Sequence, residues 1–488
     1  MRKRFEAQMT LGSTPIHEIV IPCKSRDEFP AFLRAIQYIY TNKDLSEKIY
    51  SLLEAKICTG KKTGRPGMNL WTIFVLASAR MCLNTDYDRL HYLANHDNLL
   101  RQMLGVYDGI VHGRDFERQT MIDNVQLLDD DTLYAINQVI VEAGHRVVKK
   151  KETEALHIKI DSFVTEANVH FPTDYNLLWD SGRKCLDLLE QLTECESFYS
   201  CVGRDETKIW RKQLKNKMLT LSRIVAKKDK KDDKKKKTHQ ECVKKATEEY
   251  LSVARILSGI LNKIIQIVPA TLEEYVLLHD LKYFILMLDK HIDLVDRRLL
   301  KGETIPQEEK IFSIFEPWVE WISKGKAHKP VELGKLTNIA SDQWHFILDW
   351  RVADHQQDNQ LLIPTVERIN QKYMLSACSS DKGYYSKKGV ETIEQSGITA
   401  FIPKKGKCSL AQKQKESDPA FIEARHKHSA VESNINELEH RGLDRCPDKG
   451  INGMHRYVGL AVIAYNLRRI GAILLKEERE AAKHRRAA

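Results

Sequence analysis

Two periods of apolar and polar residues divide this chain. Between residues 26 and 150 the apolar positions recur at helical spacing. They are Phe32, Leu33, Ile36, Ile39 and Tyr40, then Leu45, Ile49, Leu52 and Leu53, then Leu70, Ile73, Phe74, Leu76 and Ala77. Recurrence at three and four residues predicts amphipathic helices. Further helical patterns cover about 87–104 and 128–148. Short helices joined by tight turns at 70–104 suit a helix-turn-helix-like unit.

The period changes at Leu156. Leu156, Ile158, Ile160, Ser162 and Val164 alternate with His157, Lys159, Asp161 and Phe163, as in a half-buried strand. From Thr165 to Phe171 the apolar set moves from even to odd positions, which predicts a bulge or tight turn near Val164. Pro172 ends the run, and a helix follows near 184–195.

Helical spacing returns over 205–300. One stripe carries Tyr250, Val253, Leu257, Ile260 or Leu261, Ile264 and Ile267; the next carries Leu277, Leu281, Phe284, Leu288, Ile292, Val295 and Leu299. Pro269 breaks the chain between them, so an antiparallel helical hairpin is expected. After 306, strand patterns appear at Ile311 to Ser323, Trp344 to Val352, Tyr373 to Ser379 and Thr399 to Pro403. A helix is expected over Gln360 to Lys372, and closing helices over about 419–440 and 453–482. The resulting class is α/β, mixed and helix-rich. The pattern divides the chain into a helical region at 1–150, a strand-led region at 151–195, a helical-hairpin insertion with a Lys-rich loop at 196–305, and a mixed region with C-terminal helices at 306–488.

Composition narrows the function. The 488 residues are 42% hydrophobic, enough for a large core. Lys and Arg number 77 against 67 Asp and Glu, and the excess of +10 favours a polyanionic partner. The ten cysteines form no C-x-x-C pair, which speaks against a zinc site or a disulfide framework and fits a reducing cytosol. No uninterrupted apolar stretch approaches a membrane span, and no apolar run follows the charged N-terminus, so neither a span nor a signal peptide is expected. Cations gather at Lys61, Lys62 and Arg65 in a Gly-rich loop, in the Lys-rich run at 226–237, and at Lys404, Lys405 and Lys407.

Three acids stand at positions that suit chemistry. Asp161 lies on the first strand. Asp381 ends a later strand, with Gly383 two residues on. Glu432 lies on a polar helical stripe with Arg425, His428, Asn436 and Glu439. Carboxylates on two strand ends and a helix suit hard Mg²⁺ (or Mn²⁺), and two such ions can clamp an in-line phosphoryl transfer. Asp174 and Asp180 rival the first position; Asp342, Asp354 and Asp358 rival the second.

Four blocks occur in a fixed order: Asp161-Ser162-Phe163-Val164-Thr165-Glu166-Ala167-Asn168, Ser380-Asp381-Lys382-Gly383-Tyr384, His428-Ser429-Ala430-Val431-Glu432-Ser433-Asn434, and Tyr465-Asn466-Leu467-Arg468-Arg469. Together they resemble the DDE transposases of bacterial insertion sequences, in particular the ISNCY group and its insertion-sequence-five-like relatives. The segment Gly64-Arg65-Pro66-Gly67 and the helices around it resemble that family's N-terminal domain. The resemblance implies a helical DNA-binding or dimerisation domain at 1–150, an RNase H-like mixed-sheet catalytic core split between 151–195 and 306–488, and a catalytic, metal-binding triad of Asp161, Asp381 and Glu432. It implies cleavage at terminal inverted repeats of double-stranded DNA and transfer of the 3′-OH ends into target DNA. It also implies two Mg²⁺ ions, at least a homodimer in the active complex, and a bacterial cytoplasmic setting near the nucleoid. Relatives often carry Arg four before the Glu and Lys seven after it. Here those positions hold His428 and Glu439, so Arg425, Arg441 and Arg445 are the candidates for phosphate contact alongside Lys61, Lys62, Arg65, Lys404, Lys405 and His428. A nuclease without strand transfer and a catalytically silent DNA-binding derivative are the competing readings.

Overall fold

A computed structural model describes residues 2–5, 14–25, 27–58, 67–106, 115–199, 201, 203–227, 233–323 and 330–487. The chain divides into two compact units, Met1–Asn168 with Glu320–Ala488, and Val169–Val319. Lys61, Lys62 and Arg65 lie outside the described residues, as do 228–232 of the Lys-rich run and the segment 324–329.

The first unit begins with seven helices: α1 (Phe29–Thr41), α2 (Lys43–Ile57), α3 (Leu70–Cys82), α4 (Tyr87–His96), α5 (Asn98–Met103), α6 (Arg118–Val125) and α7 (Asp130–Val147). α3 is buried at every residue, as a helix apolar on all sides must be. Its start is fixed by Asn69, whose side chain accepts from the Thr72 N–H. α1 buries Phe32, Leu33, Ile36 and Ile39, the stripe read from sequence.

Strand β1 (Leu156–Ala167) follows. The chain then enters the second unit, with α8 (Asp174–Leu192), α9 (Arg204–Val225), α10 (Asp233–Ile264) and α11 (Leu272–Val295). α10 and α11 are the expected hairpin. Leu257, Leu261, Leu281, Leu288 and Ile292 join Leu186 and Leu189 of α8 in one apolar core. α11 opens with a reciprocal cap between Thr271 and Glu274.

Back in the first unit come β2 (Glu320–Ser323), β3 (Val331–Ser341), β4 (Ile347–Val352), α12 (Asp358–Asn370), β5 (Leu375–Ser380), α13 (Lys387–Gln395), β6 (Thr399–Phe401), α14 (Leu410–Glu416), α15 (Pro419–Leu438), β7 (Arg445–Cys446) and α16 (Ile451–Ala487). β1 pairs antiparallel with β3, and β3 antiparallel with β4. On its other edge β1 pairs parallel with β5, and β5 with β6. Three antiparallel strands continued by two parallel ones form a mixed sheet, in the helix-rich α/β class expected from the sequence. β2 extends the β3 edge and β7 pairs with the end of β1.

α12 covers one face of this sheet, where Asn338 Nδ2 donates to Thr365 Oγ1 at 3.1 Å. α16 packs on α1, α3 and α7. A Cβ on Gly471 would fall 1.6 Å from Ala31 O, so α16 and α1 touch backbone to backbone. One stretch of α16 is apolar enough to cross a membrane by composition, but 78% of it is buried inside the protein, which makes it a core helix.

Three details differ from expectation. β1 runs unbroken against β3, with no bulge at Val164. The parity change reflects burial on both faces instead: Phe163, Val164 and Thr165 are all buried. β1 ends at Ala167, and the following helix starts earlier than expected, at Asp174. Of Ile311 to Ser323 only Glu320–Ser323 is strand, because Ser313 Oγ accepts from the Phe315 and Glu316 N–H groups and turns the chain.

Candidate catalytic site

The site is built at the junction of the antiparallel and parallel halves of the sheet. Ile160 stands opposite Ser380 in the parallel β1–β5 pair. Asp161 and Asp381 are the next residues along each strand, so their carboxylates leave neighbouring strands side by side. Asp161 Oδ1 accepts from the Ser162 N–H at 2.8 Å. Asp381 stops β5 and starts a short 3-10 turn, where its Oδ1 accepts from the Gly383 N–H at 2.8 Å.

α15 packs over β1, β5 and β6. Phe421, Ala424, Val431, Ile435 and Leu438 are its buried stripe, as the sequence indicated. The polar stripe carries Arg425, His428 and Glu432. His428 Nδ1 lies 3.4 Å from Ser379 Oγ, two residues before Asp381. Burial lowers the His428 imidazole to about 4, with Asp381 opposing and Lys159 assisting. His428 is therefore a neutral imidazole near neutral pH. Glu432, one turn further on, is exposed. No Lys or Arg forms an ion pair with Asp381 or Glu432 among the described residues.

Beneath α15 the same face of β1 carries His157 and Lys159. Burial lowers His157 to about 4, and the charges of Lys159 and Lys427 add to that. Lys159 is 4% exposed, and burial lowers its ammonium against the attraction of Asp342. Nothing in the β1 alternation marked Lys159 as buried, since a strand lysine reads as solvated.

The proposed phosphate contacts separate by what they already hold. Arg425, Lys405 and Lys382 are exposed. Burial pushes the Glu416 carboxyl up, and the Lys404 N–H, Gln412, Arg425 and Lys382 outweigh it. Arg425 and Lys382 are thus both close enough to Glu416 to act on its charge. Lys404 is half-buried, and its N–H donates to Glu416 at 3.0 Å. Arg441 pairs with Glu28 and with Glu437, so its charge is spent inside the unit. Arg445 on β7 is exposed and lies 3.8 Å from Glu166.

The rival acids also separate. Asp174 pairs with Arg298 at 2.6 Å in the second unit, where Asp180 is buried beside His170. Asp342 is fully buried; its Oδ2 meets His145 Nε2 at 2.7 Å and its Oδ1 accepts from the Trp344 and Phe346 N–H groups. Asp354 belongs with Glu320 and His355 to a cluster whose ligand atoms lie within 4.8 Å of one another. Lys335 Nζ already sits there, 2.5 Å from Glu320 and 2.6 Å from Asp354. That ammonium is the cluster's cation, and it ties β2 to β3. Asp358 alone among the rivals reaches the site: Ser162 Oγ donates to its Oδ1 at 2.6 Å.

Carboxylate oxygens suit a hard divalent cation; Asp161 and Asp381 stand on neighbouring strands, but the ligand atoms of Asp161, Asp381 and Glu432 do not gather within 4.8 Å of one another as those of Glu320, Asp354 and His355 do. Residues 292–467 match the family model of the transposase DDE domain; that span includes Asp381 and Glu432 and stops short of Asp161. No curated protein and no solved structure matches the chain.

Proposed function

We propose that this chain, which carries a transposase DDE domain over residues 292–467, cuts double-stranded DNA at the terminal inverted repeats of an insertion sequence and joins the freed 3′-OH ends to target DNA. The observation that carries the reading is the Ile160–Ser380 register, which sets Asp161 beside Asp381. A bacterial insertion sequence of the ISNCY group, a cytoplasmic setting and an active complex of at least two copies belong to the same proposal.

Asp161, Asp381 and Glu432 would hold two Mg²⁺ ions. Bound there, the ions activate water or a 3′-OH and stabilise the leaving oxygen of an in-line displacement. The chain's own contribution is position. β1 and β5 hold two carboxylates rigidly, because both strands are buried and paired on either side. α15 brings the third from a distant part of the sequence. Arg425 and Lys382 are exposed, and they would neutralise phosphate charge on the DNA backbone. His428, held neutral, donates or accepts a hydrogen bond without adding charge.

The test is a cleavage and joining assay with duplexes carrying the element's own ends. Nicked ends joined to a target plasmid support the proposal. Nicking with no joined product reduces it to a nuclease, and DNA binding with neither product reduces it to a silent DNA-binding protein.

A further inference from the structure

α9 carries charge of a single sign along most of its length. From Thr207 to Lys227 the sequence holds seven Lys and Arg and no Asp or Glu, although the whole chain has 67 acids to 77 bases. Leu214, Met218 and Leu221 of this helix enter the apolar core of the second unit, against α8 and α10. Three of the seven cations are engaged. Arg211 meets Asp187 at 2.5 Å and Glu190 at 2.9 Å, Lys217 meets Glu249 at 2.7 Å, and Lys208 meets Asp205 at 3.3 Å. The other four, Lys212, Lys215, Arg223 and Lys227, are exposed, and no carboxylate forms an ion pair with them among the described residues. At 3.6 residues per turn, Lys212 and Arg223 lie nearly opposite Leu214, with Lys215 beside them. Lys227 follows one turn after Arg223, just past the end of the helix at Val225.

An ordinary solvated face accounts for the exposure but not for the single sign. Opposite charges three or four residues apart attract and like charges repel, so solvated helix faces mix signs. α10 does so: Lys244 and Lys245 stand among Glu241, Glu248 and Glu249. On α9, Lys212 and Lys215 are three residues apart and Arg223 and Lys227 four, with no acid between them. The helix dipole favours Arg223 and Lys227 at the C-terminal end, but it does nothing for Lys212 and Lys215 in the middle. Like charges held together in this way complement a polyanion. Lys212 and Arg223 stand about 16 Å apart along the helix axis, more than the roughly 12 Å width of the DNA major groove. The stripe is therefore long enough to meet phosphates on both sides of that groove.

We propose that this face of α9 binds the phosphate backbone of double-stranded DNA without reading its sequence. It is a DNA contact of the second unit, and it stands whichever acids of the first unit carry out cleavage.

The experiment measures binding of the full-length protein to a duplex of arbitrary sequence at several salt concentrations. Lys212→Gln, Lys215→Gln, Arg223→Gln and Lys227→Gln combined lower the slope of log affinity against log salt by between about two and four, and weaken binding at the lowest salt by about tenfold or more. Lys212→Gln with Lys215→Gln gives about half of that fall in slope. The melting temperature does not move, since all four side chains are exposed. Lys244→Gln, Lys245→Gln, Lys263→Gln and Lys282→Gln combined remove the same charge from exposed positions of α10 and α11, and leave the slope unchanged. An unchanged slope in the folded α9 variants overturns the proposal. An equal fall in the α10 and α11 variant also overturns it, because the loss is then one of net charge. A fall seen with single-stranded DNA but not with the duplex overturns the duplex as the partner.

Discussion

Asp161 and Asp381 leave neighbouring parallel strands side by side, one residue beyond the Ile160–Ser380 pair. The whole second unit, Val169–Val319, lies between them in sequence. Their proximity is a product of sheet topology alone, and it can be trapped. Asp161→Cys combined with Asp381→Cys closes a disulfide under mild oxidation, because adjacent strands hold Cα atoms at about 5 Å. Peptide mass spectrometry reads the link. Asp161→Cys paired with Glu320→Cys, two strands apart in the sheet, gives none.

The cations of the first unit differ in what they are free to do. Arg425→Ala and Lys382→Ala each weaken DNA binding across all sequences and flatten its salt dependence by about one counterion. Arg441→Ala leaves DNA affinity unchanged and lowers thermal stability instead, because Arg441 is engaged by Glu28 and Glu437. Binding titrations at several salt concentrations, with melting curves alongside, separate the two classes.

Acid should loosen the sheet beneath α15. His157 and His428 both titrate near 4 in the folded protein, below the ordinary imidazole value of 6.5. A lowered imidazole favours the folded state while neutral, so its contribution is fully present above about 6.5 and is lost as pH falls toward 4. Each contributes roughly 1–3 kcal/mol over that window. Urea unfolding between pH 7 and pH 4 checks this. His157→Gln removes about half of the pH dependence; a profile identical to the unaltered protein rejects the assignment.

Two glycines predict opposite outcomes in the same melting experiment. Gly471→Ala drives a Cβ into Ala31 O, 1.6 Å away, and destabilises by about 1–3 kcal/mol or more. Gly259 lies inside α10, and a Cβ added there would meet nothing within 4 Å. Gly259→Ala therefore stabilises by about 0.5–1 kcal/mol.

Much of this was readable in the sequence, for identifiable reasons. The β1 alternation placed Asp161, the apolar stripe of α15 placed Glu432 on a polar face, and Pro269 separated the two long helices. Each depends on one segment's own periodicity. The failures came where burial is decided by another element. Lys159 read as solvated, yet α15 packs over its strand. The parity change at Val164 read as a bulge because a strand covered on both faces loses its alternation. Asp342 and Asp358 were indistinguishable as rival acids. One is locked under His145 and the other accepts from Ser162 on β1, a difference set by partners far away in the chain.

The central claim is that Asp161, Asp381 and Glu432 act as one metal-dependent centre. Its most direct test is Mg²⁺-dependent nicking of end DNA by the Asp161→Asn, Asp381→Asn and Glu432→Gln proteins, with DNA binding measured in the same samples. The account predicts that each substitution abolishes nicking while binding persists. Full nicking by any one of the three would remove that residue from the centre and contradict the account.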